Sequence, residues 1–144
     1  MAVTVSFYNN FIEDVGRGRI NLASDTFKIA LVNTYSFDAD DADYSDLTDL
    51  LSTGSGYTAP GQALTGVSWA FATSLTKWDA DDVTWSASGG SIGPATGAVI
   101  YSDTSTVPTA DRLVMYIDFG GSETAGDGTD FKITFNASGV FTIS

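Results

Sequence analysis

From residue 62 to the C-terminus the chain is a series of short apolar runs cut by turn signals, with no helical crossover between them. Parallel strands need a crossover of about a dozen or more residues, usually a helix. Short runs without one must fold back on each other as antiparallel strands. Strand patterns fall near 63–72, 74–78, 82–86, 97–102, 112–119, 130–135 and 139–143. "LVMYIDF" at 113–119 and "FKITF" at 131–135 show the clearest apolar alternation. "SGGSIGP", "TVPTAD", "GGSETAGDGT" and "NASG" read as the intervening turns, with "NASG" closing the last two runs into a hairpin. The expected fold is mainly β: an antiparallel β-sandwich or jelly-roll-like barrel in one domain, 1–144.

The first sixty residues break this pattern. In "SFYNNFIEDVG" (6–16), Phe7, Tyr8, Phe11, Ile12 and Val15 share one helical face. Ser6 is placed to cap that helix and Gly16 to end it. The basic "RGRINLASD" follows, so 1–20 reads as an N-terminal helix with a basic segment. "TFKIALVN" (26–33) has the near-continuous apolar character of a strand buried on both faces. Residues 34–61 form a long irregular insertion, acidic in "FDADDADYSDLTDLL" and Gly/Ser-rich in "STGSGYTAPGQ". A short helix is expected over 45–51, with Leu47, Leu50 and Leu51 facing inward and Ser45 or Asp46 as its cap.

Charge narrows the function classes. The net charge is −12, and sixteen of the eighteen acids are Asp, a residue of turns and caps rather than helix interiors. That balance opposes nucleic-acid binding and attraction to anionic membranes. The N-terminus lacks the pattern of a signal peptide, and no run approaches the roughly 20 apolar residues of a membrane span. A soluble protein made in a cytoplasm is expected. There is no Cys and no His. A Ser-His-Asp triad, a Cys nucleophile and a His/Cys zinc site are therefore excluded.

What remains is carboxylate chemistry, and "KWDADDVTW" (77–85) is its densest cluster. Asp79, Asp81 and Asp82 lie between Trp78 and Trp85. A glycosidase-like acid pair would need Asp81 and Asp82 to converge, but neighbours on a strand point to opposite faces. Calcium suits clustered carboxylates, yet EF-hand spacing fails. Counting from Asp41, position six is Asp46 rather than Gly and position twelve is Ser52 rather than Glu. Counting from Asp79, the third ligand would be Val83. A two-loop cation site at Asp79, Asp81 and Asp82 stays as an alternative to turn chemistry. On the turn reading Trp78 ends one strand, the Asp residues turn the chain, and Val83 and Trp85 enter the core. The chain reads as a non-enzyme with no cofactor. Arg17 and Arg19 are candidate contacts to an acidic partner, with a helix C-terminus as the plainer explanation. Phe7 and Phe11 are candidate contacts or core, and Tyr57, Trp69 and Tyr101 would stack on sugars if exposed.

Taken in order, "FYNNFIEDVGRG", "DTFKIALVNTYSFDADD", "GSGYTAPGQAL", "DADDVTWSAS", "GAVIYSDT", "LVMYIDFG" and "FKITFNASGVFTI" resemble the capsid decoration, or cement, proteins of tailed bacteriophages. The resemblance rests on the order of these segments over nearly the whole chain. It implies a structural virion protein assembled in the host cytoplasm that binds the outside of the capsid. Its partners would be the major capsid protein and copies of itself, as a homotrimer bridging capsid subunits. It carries over no catalytic residue. The alternative is a tail- or head-displayed module that binds host-surface carbohydrate, with or without calcium, and behind it a carboxylate-dependent hydrolase.

Overall fold

The computed structural model describes residues 3–104 and 106–144. Ten strands and one helix follow in the order β1 (Thr4–Phe7), α1 (Asn9–Gly16), β2 (Phe27–Val32), β3 (Gln62–Ala63), β4 (Ser68–Ala72), β5 (Leu75–Asp79), β6 (Val83–Ser86), β7 (Ile92–Ser102), β8 (Arg112–Ala125), β9 (Asp130–Ile133) and β10 (Phe141–Ile143). They build an antiparallel five-stranded sheet, β1-β8-β7-β2-β3, a three-stranded sheet, β10-β5-β4, and a β6-β9 pair. The mainly β, antiparallel, sandwich-like architecture agrees with the alternation in the sequence.

β2 shows how the layers form. Phe27, Ile29 and Leu31 point into the core shared with the smaller sheets, and Ala30 and Val32 point the other way. All five are fully buried, as a near-continuous apolar run demands. The inner core is anchored by Trp78 on β5. It is 0% exposed, its Nε1–H donates to Leu22 O at 3.0 Å, and its ring meets Phe27 edge-on at 4.9 Å. The outer core is rich in tyrosine. Tyr8, Tyr35, Tyr101 and Tyr116 pack there beneath the acidic insertion, with Tyr44 against it. β8 supplies both layers by alternation, and its register against β7 shifts between Ile100 and Tyr101. That bulge lets the adjacent Val114 and Met115 both enter the inner core.

Several boundaries differ from the sequence reading. The helix starts at Asn9, and Thr4–Phe7 is an edge strand paired with β8 from Asp118 to Met115. Tyr8, not Ser6, holds the cap position, and Gly18 at φ 71, not Gly16, takes the left-handed turn after the helix. Over 45–51 there is only a 3-10 turn, Tyr44–Asp46, capped by Asp43: Ser45 N–H donates to its Oδ1, and Asp46 accepts the Asp43 N–H in return. Beyond it the backbone is extended at Leu47, and Leu50 bridges to Val32. Main-chain pairing to β2 thus outweighs the weak helical pattern. The expected strand 63–72 is split into β3 and β4. β8 runs through "GGSETA", so the turn occupies only Gly126–Thr129. The "NASG" turn does not close a hairpin: β9 pairs with β6, whereas β10 crosses to pair with β5.

Gly61 fixes how the insertion returns to the sheet. Its φ is +108, and a Cβ there would collide with the carbonyl of Ile29. The backbone passes so close to β2 that only glycine fits.

Candidate functional site

The "KWDADDVTW" segment joins two sheets. β5 ends at Asp79 and β6 begins at Val83, and these strands belong to different sheets. Val83 and Trp85 are buried while Thr84 and Ser86 are exposed, so the alternation places Trp85 in the core as expected. The three acids diverge. Asp79 pairs with Lys77 at 2.7 Å and also accepts the Ala80 N–H. That ammonium holds the Asp79 carboxyl below its ordinary value. Asp81 accepts the Thr65 hydroxyl at 3.0 Å, and its own N–H donates to Thr65 O. Asp82 accepts the Phe135 N–H at 3.0 Å and lies 3.5 Å from Lys132 Nζ. Each acid fastens a different neighbour to the connection. Gly66 sits against the Asp81 carboxylate, where a Cβ would collide. Among the described residues no group of three or more acids is arranged to hold a metal ion.

The basic segment is also tied down. Arg17 Nε lies 2.7 Å from Glu13. Arg19 reaches Asp14 at 3.1 Å and Glu13 at 3.7 Å. Asp14 is 0% exposed and further accepts hydrogen bonds from Arg112 Nε and Asn10 Nδ2, each at 2.8 Å. Arg19 is therefore an internal brace between α1 and its C-terminal turn, and only Arg17 extends into solvent.

The two phenylalanines separate. Phe11 is 1% exposed and belongs to the inner core, so within a single chain it is not available to a partner. Phe7 is 41% exposed, stacked on Phe11 at 5.5 Å and edge-on to Phe141 at 5.2 Å. Tyr57 and Tyr101 are buried as well. The Tyr57 oxygen accepts the Leu31 N–H, and the Tyr101 hydroxyl donates to Pro60 O. Of the three aromatics considered for sugar stacking, only Trp69 keeps partial exposure.

The surface feature that stands out was singled out by sequence only at Phe7. On β1, Val5 and Phe7 lie opposite Ile117 and Met115, on the face that forms the inner core. The smaller sheet reaches this edge through Phe141 on Phe7 but does not cover it, so Val3, Val5 and Phe7 stay 62, 45 and 41% exposed. Beside them a groove of about 510 Å³ is lined by Val3, Phe119, Phe131 and Ile133, with Glu123 and Lys132 among its polar residues. The sequence signal was the Val3-Val5-Phe7 alternation, hidden by the helical pattern that overlaps it.

No helix among the described residues is long and apolar enough to cross a membrane. No family model matches the chain, and neither a curated protein nor a solved structure is significantly similar to it.

Proposed function

We propose that this is a structural virion protein that docks on the outside of an assembled phage capsid and stabilises it by bridging capsid subunits. The observation that carries the reading is the uncovered apolar rim along β1, continuous with the groove that Val3 lines. Exposed apolar strips of this kind, on an otherwise polar and soluble chain, are recognition surfaces. The rim carries no charge of its own, and the acids considered for chemistry are instead engaged as structural fasteners. The sequence resemblance supplies the partner: the major capsid protein, contacted by several copies of this chain, with a trimer as the expected assembly. Many small contacts of this type gain strength by multivalency.

The test adds purified protein to undecorated capsids and follows co-sedimentation and the temperature of capsid disruption. Binding with a raised disruption temperature is expected, and Val3→Lys with Val5→Lys should abolish both without unfolding the protein. Absence of binding by the wild type refutes the reading. Binding to host-surface glycans in its place would favour the carbohydrate module.

A further inference from the structure

β4, the strand "SWAFA", is an open edge of the three-stranded sheet. Ser68, Ala70, Phe71 and Ala72 are exposed, and Phe71 is the most exposed of the large apolar side chains at 78%. β4 joins β5 through the two-residue turn Thr73-Ser74, both at positive φ, with Ala72 opposite Leu75. A two-residue hairpin turn closes on a pair that exchanges both main-chain hydrogen bonds, and such pairs alternate along the ladder. Ser68, Ala70 and Ala72 therefore spend their N–H and C=O groups on β5. Trp69 and Phe71 aim theirs at the open side. Among the described residues no main-chain hydrogen bond from outside the sheet reaches β4.

Natural proteins guard such edges with charge, brevity or a cover. Three other edges follow that rule, while β1 is left apolar and uncharged like β4. β3 has two residues, β9 carries Asp130 and Lys132, and β10 turns Phe141 against the rings of Phe7 and Phe11. β4 has no such guard. No acid occurs anywhere in 51–78, and the one charge there is Lys77, which is paired with Asp79. On a chain of net charge −12, a second copy can approach this acid-free edge with little repulsion.

We propose that β4 pairs antiparallel with β4 of a second copy about a twofold axis at Ala70, joining two sheets into one of six strands. The strand is self-complementary in this register. Trp69 falls opposite Phe71 of the partner subunit, and Phe71 falls opposite Trp69 of the partner subunit. Both pairs use the groups that point outward, so four main-chain hydrogen bonds form with the correct parity. Trp69 and Phe71 share one face, so the same step lays each exposed Phe71 beside a Trp69, an aromatic cross-strand pair. The contact is smaller than the roughly 800 Å² per partner of a standard stable interface. It therefore closes at high protein concentration, or where copies are held side by side. Pairing through β4 does not depend on what the β1 rim binds.

The test exploits the absence of cysteine from the chain. In a non-hydrogen-bonded antiparallel pair the Cα atoms stand about 4.5 Å apart, within disulfide range. Ala70→Cys should cross-link to itself under mild oxidation of concentrated protein. Ser68→Cys would be offset from its own counterpart by four residues, roughly 13 Å, and should not. The expected result is covalent dimer forming at least about tenfold faster at position 70 than at 68, with Phe71→Lys in the Ala70→Cys background suppressing it while circular dichroism and melting temperature hold; tenfold corresponds to about 1.4 kcal/mol. Equal rates at 70 and 68, or indifference to Phe71→Lys, overturns the proposal. Protection of β4 amides only when another protein is present also overturns it, and assigns the edge to that protein's strand.

Discussion

Asp14 is the residue whose charge the fold can least do without. It is fully buried and gathers Arg112, Arg19 and Asn10 around one carboxylate, linking α1, the segment after it and β8. Asp14→Asn keeps the shape and removes the charge that faces the Arg112 guanidinium, itself 6% exposed. Breaking a buried pair from one side costs about 3–5 kcal/mol. For 144 residues the unfolding entropy near the midpoint is roughly 0.3 kcal/mol/K, so the melting temperature should fall by about 10–17 °C at pH 7. The pH dependence has a definite sign. Burial raises the Asp14 carboxyl, but hydrogen bonds from Arg112, Asn10 and Arg19 outweigh it and hold the group below its ordinary value. A depressed carboxylate contributes stability that is full above its unfolded value, about 3.9, and lost as pH falls through the folded value. The gap between wild type and Asp14→Asn should therefore be widest near neutrality and begin to narrow only below about pH 4, as pH falls toward the folded value. Thermal unfolding followed by circular dichroism, from pH 7 down to pH 2.5, reads both effects. A variant melting within about 2 °C of wild type at pH 7 would show that the buried cluster contributes nothing net.

Two further outcomes follow from the cores. All six tyrosines are shifted above the ordinary phenol value, with burial the leading cause in each, and Tyr35 is pushed up to about 12. Their neutral forms thus stabilise the fold fully below the unfolded value near 10, and that contribution is lost as pH rises through the folded values. Phenolate absorbance should lag behind that of free tyrosine and rise together with unfolding; a full, reversible titration near pH 10 in folded protein would contradict the outer core. For the inter-sheet connection, Asp81→Asn with Asp82→Asn should cost only about 1–2 kcal/mol, because both amides still accept from Thr65 and Phe135 and the lost Lys132 pair is largely exposed. Millimolar calcium should leave the wild-type melting temperature unchanged, and a calcium-dependent rise lost in the double variant would restore the cation reading.

The inner core was legible because period-two alternation leaves little choice of face. Phe27, Ile29 and Leu31, then Val83 and Trp85, could only point inward once their strands were recognised. Pairing was less legible. "NASG" has the composition of a hairpin turn, and local sequence cannot show that Phe141 is drawn away to Trp78 and Phe7. Where two periods overlap, the stronger apolar pattern misleads: Phe7 fits the helical face of Phe11 and Val15, yet it ends a strand. Leu47, Leu50 and Leu51 fit a short helix, but free main-chain groups on β2 draw that segment into extended pairing at Asn33, Leu50 and Leu51. Divergence of Asp81 and Asp82 was expected from strand alternation, although both lie in the connection between β5 and β6 rather than on a strand. Their partners were not, since Thr65, Lys132 and Phe135 lie far off in sequence.

The distribution of acids gives the molecule two unlike sides. Six Asp residues lie within 38–49, over the outer core, and several are consumed in ordering that layer. Asp40 accepts from Asn9, Asp41 from the Tyr35 hydroxyl, and Asp43 and Asp46 build the capping box. Asp103 and Asp111 add to the same layer, Asp103 through Lys28 and Asp111 through the main-chain bond from Tyr44. The strands of the smaller sheet and the β1 edge are nearly free of acid. Layers that differ this much in charge do different work. The acidic cover keeps its face solvated and repels like-charged copies. On the proposed reading, contacts are thereby directed to the apolar rim of β1 and the bare edge of β4. These two surfaces lie on different sheets, so a copy held through one can still engage a neighbour through the other. A charge placed on Val5 should then weaken capsid docking without changing Ala70→Cys cross-linking in free protein, and a charge on Phe71 should do the reverse.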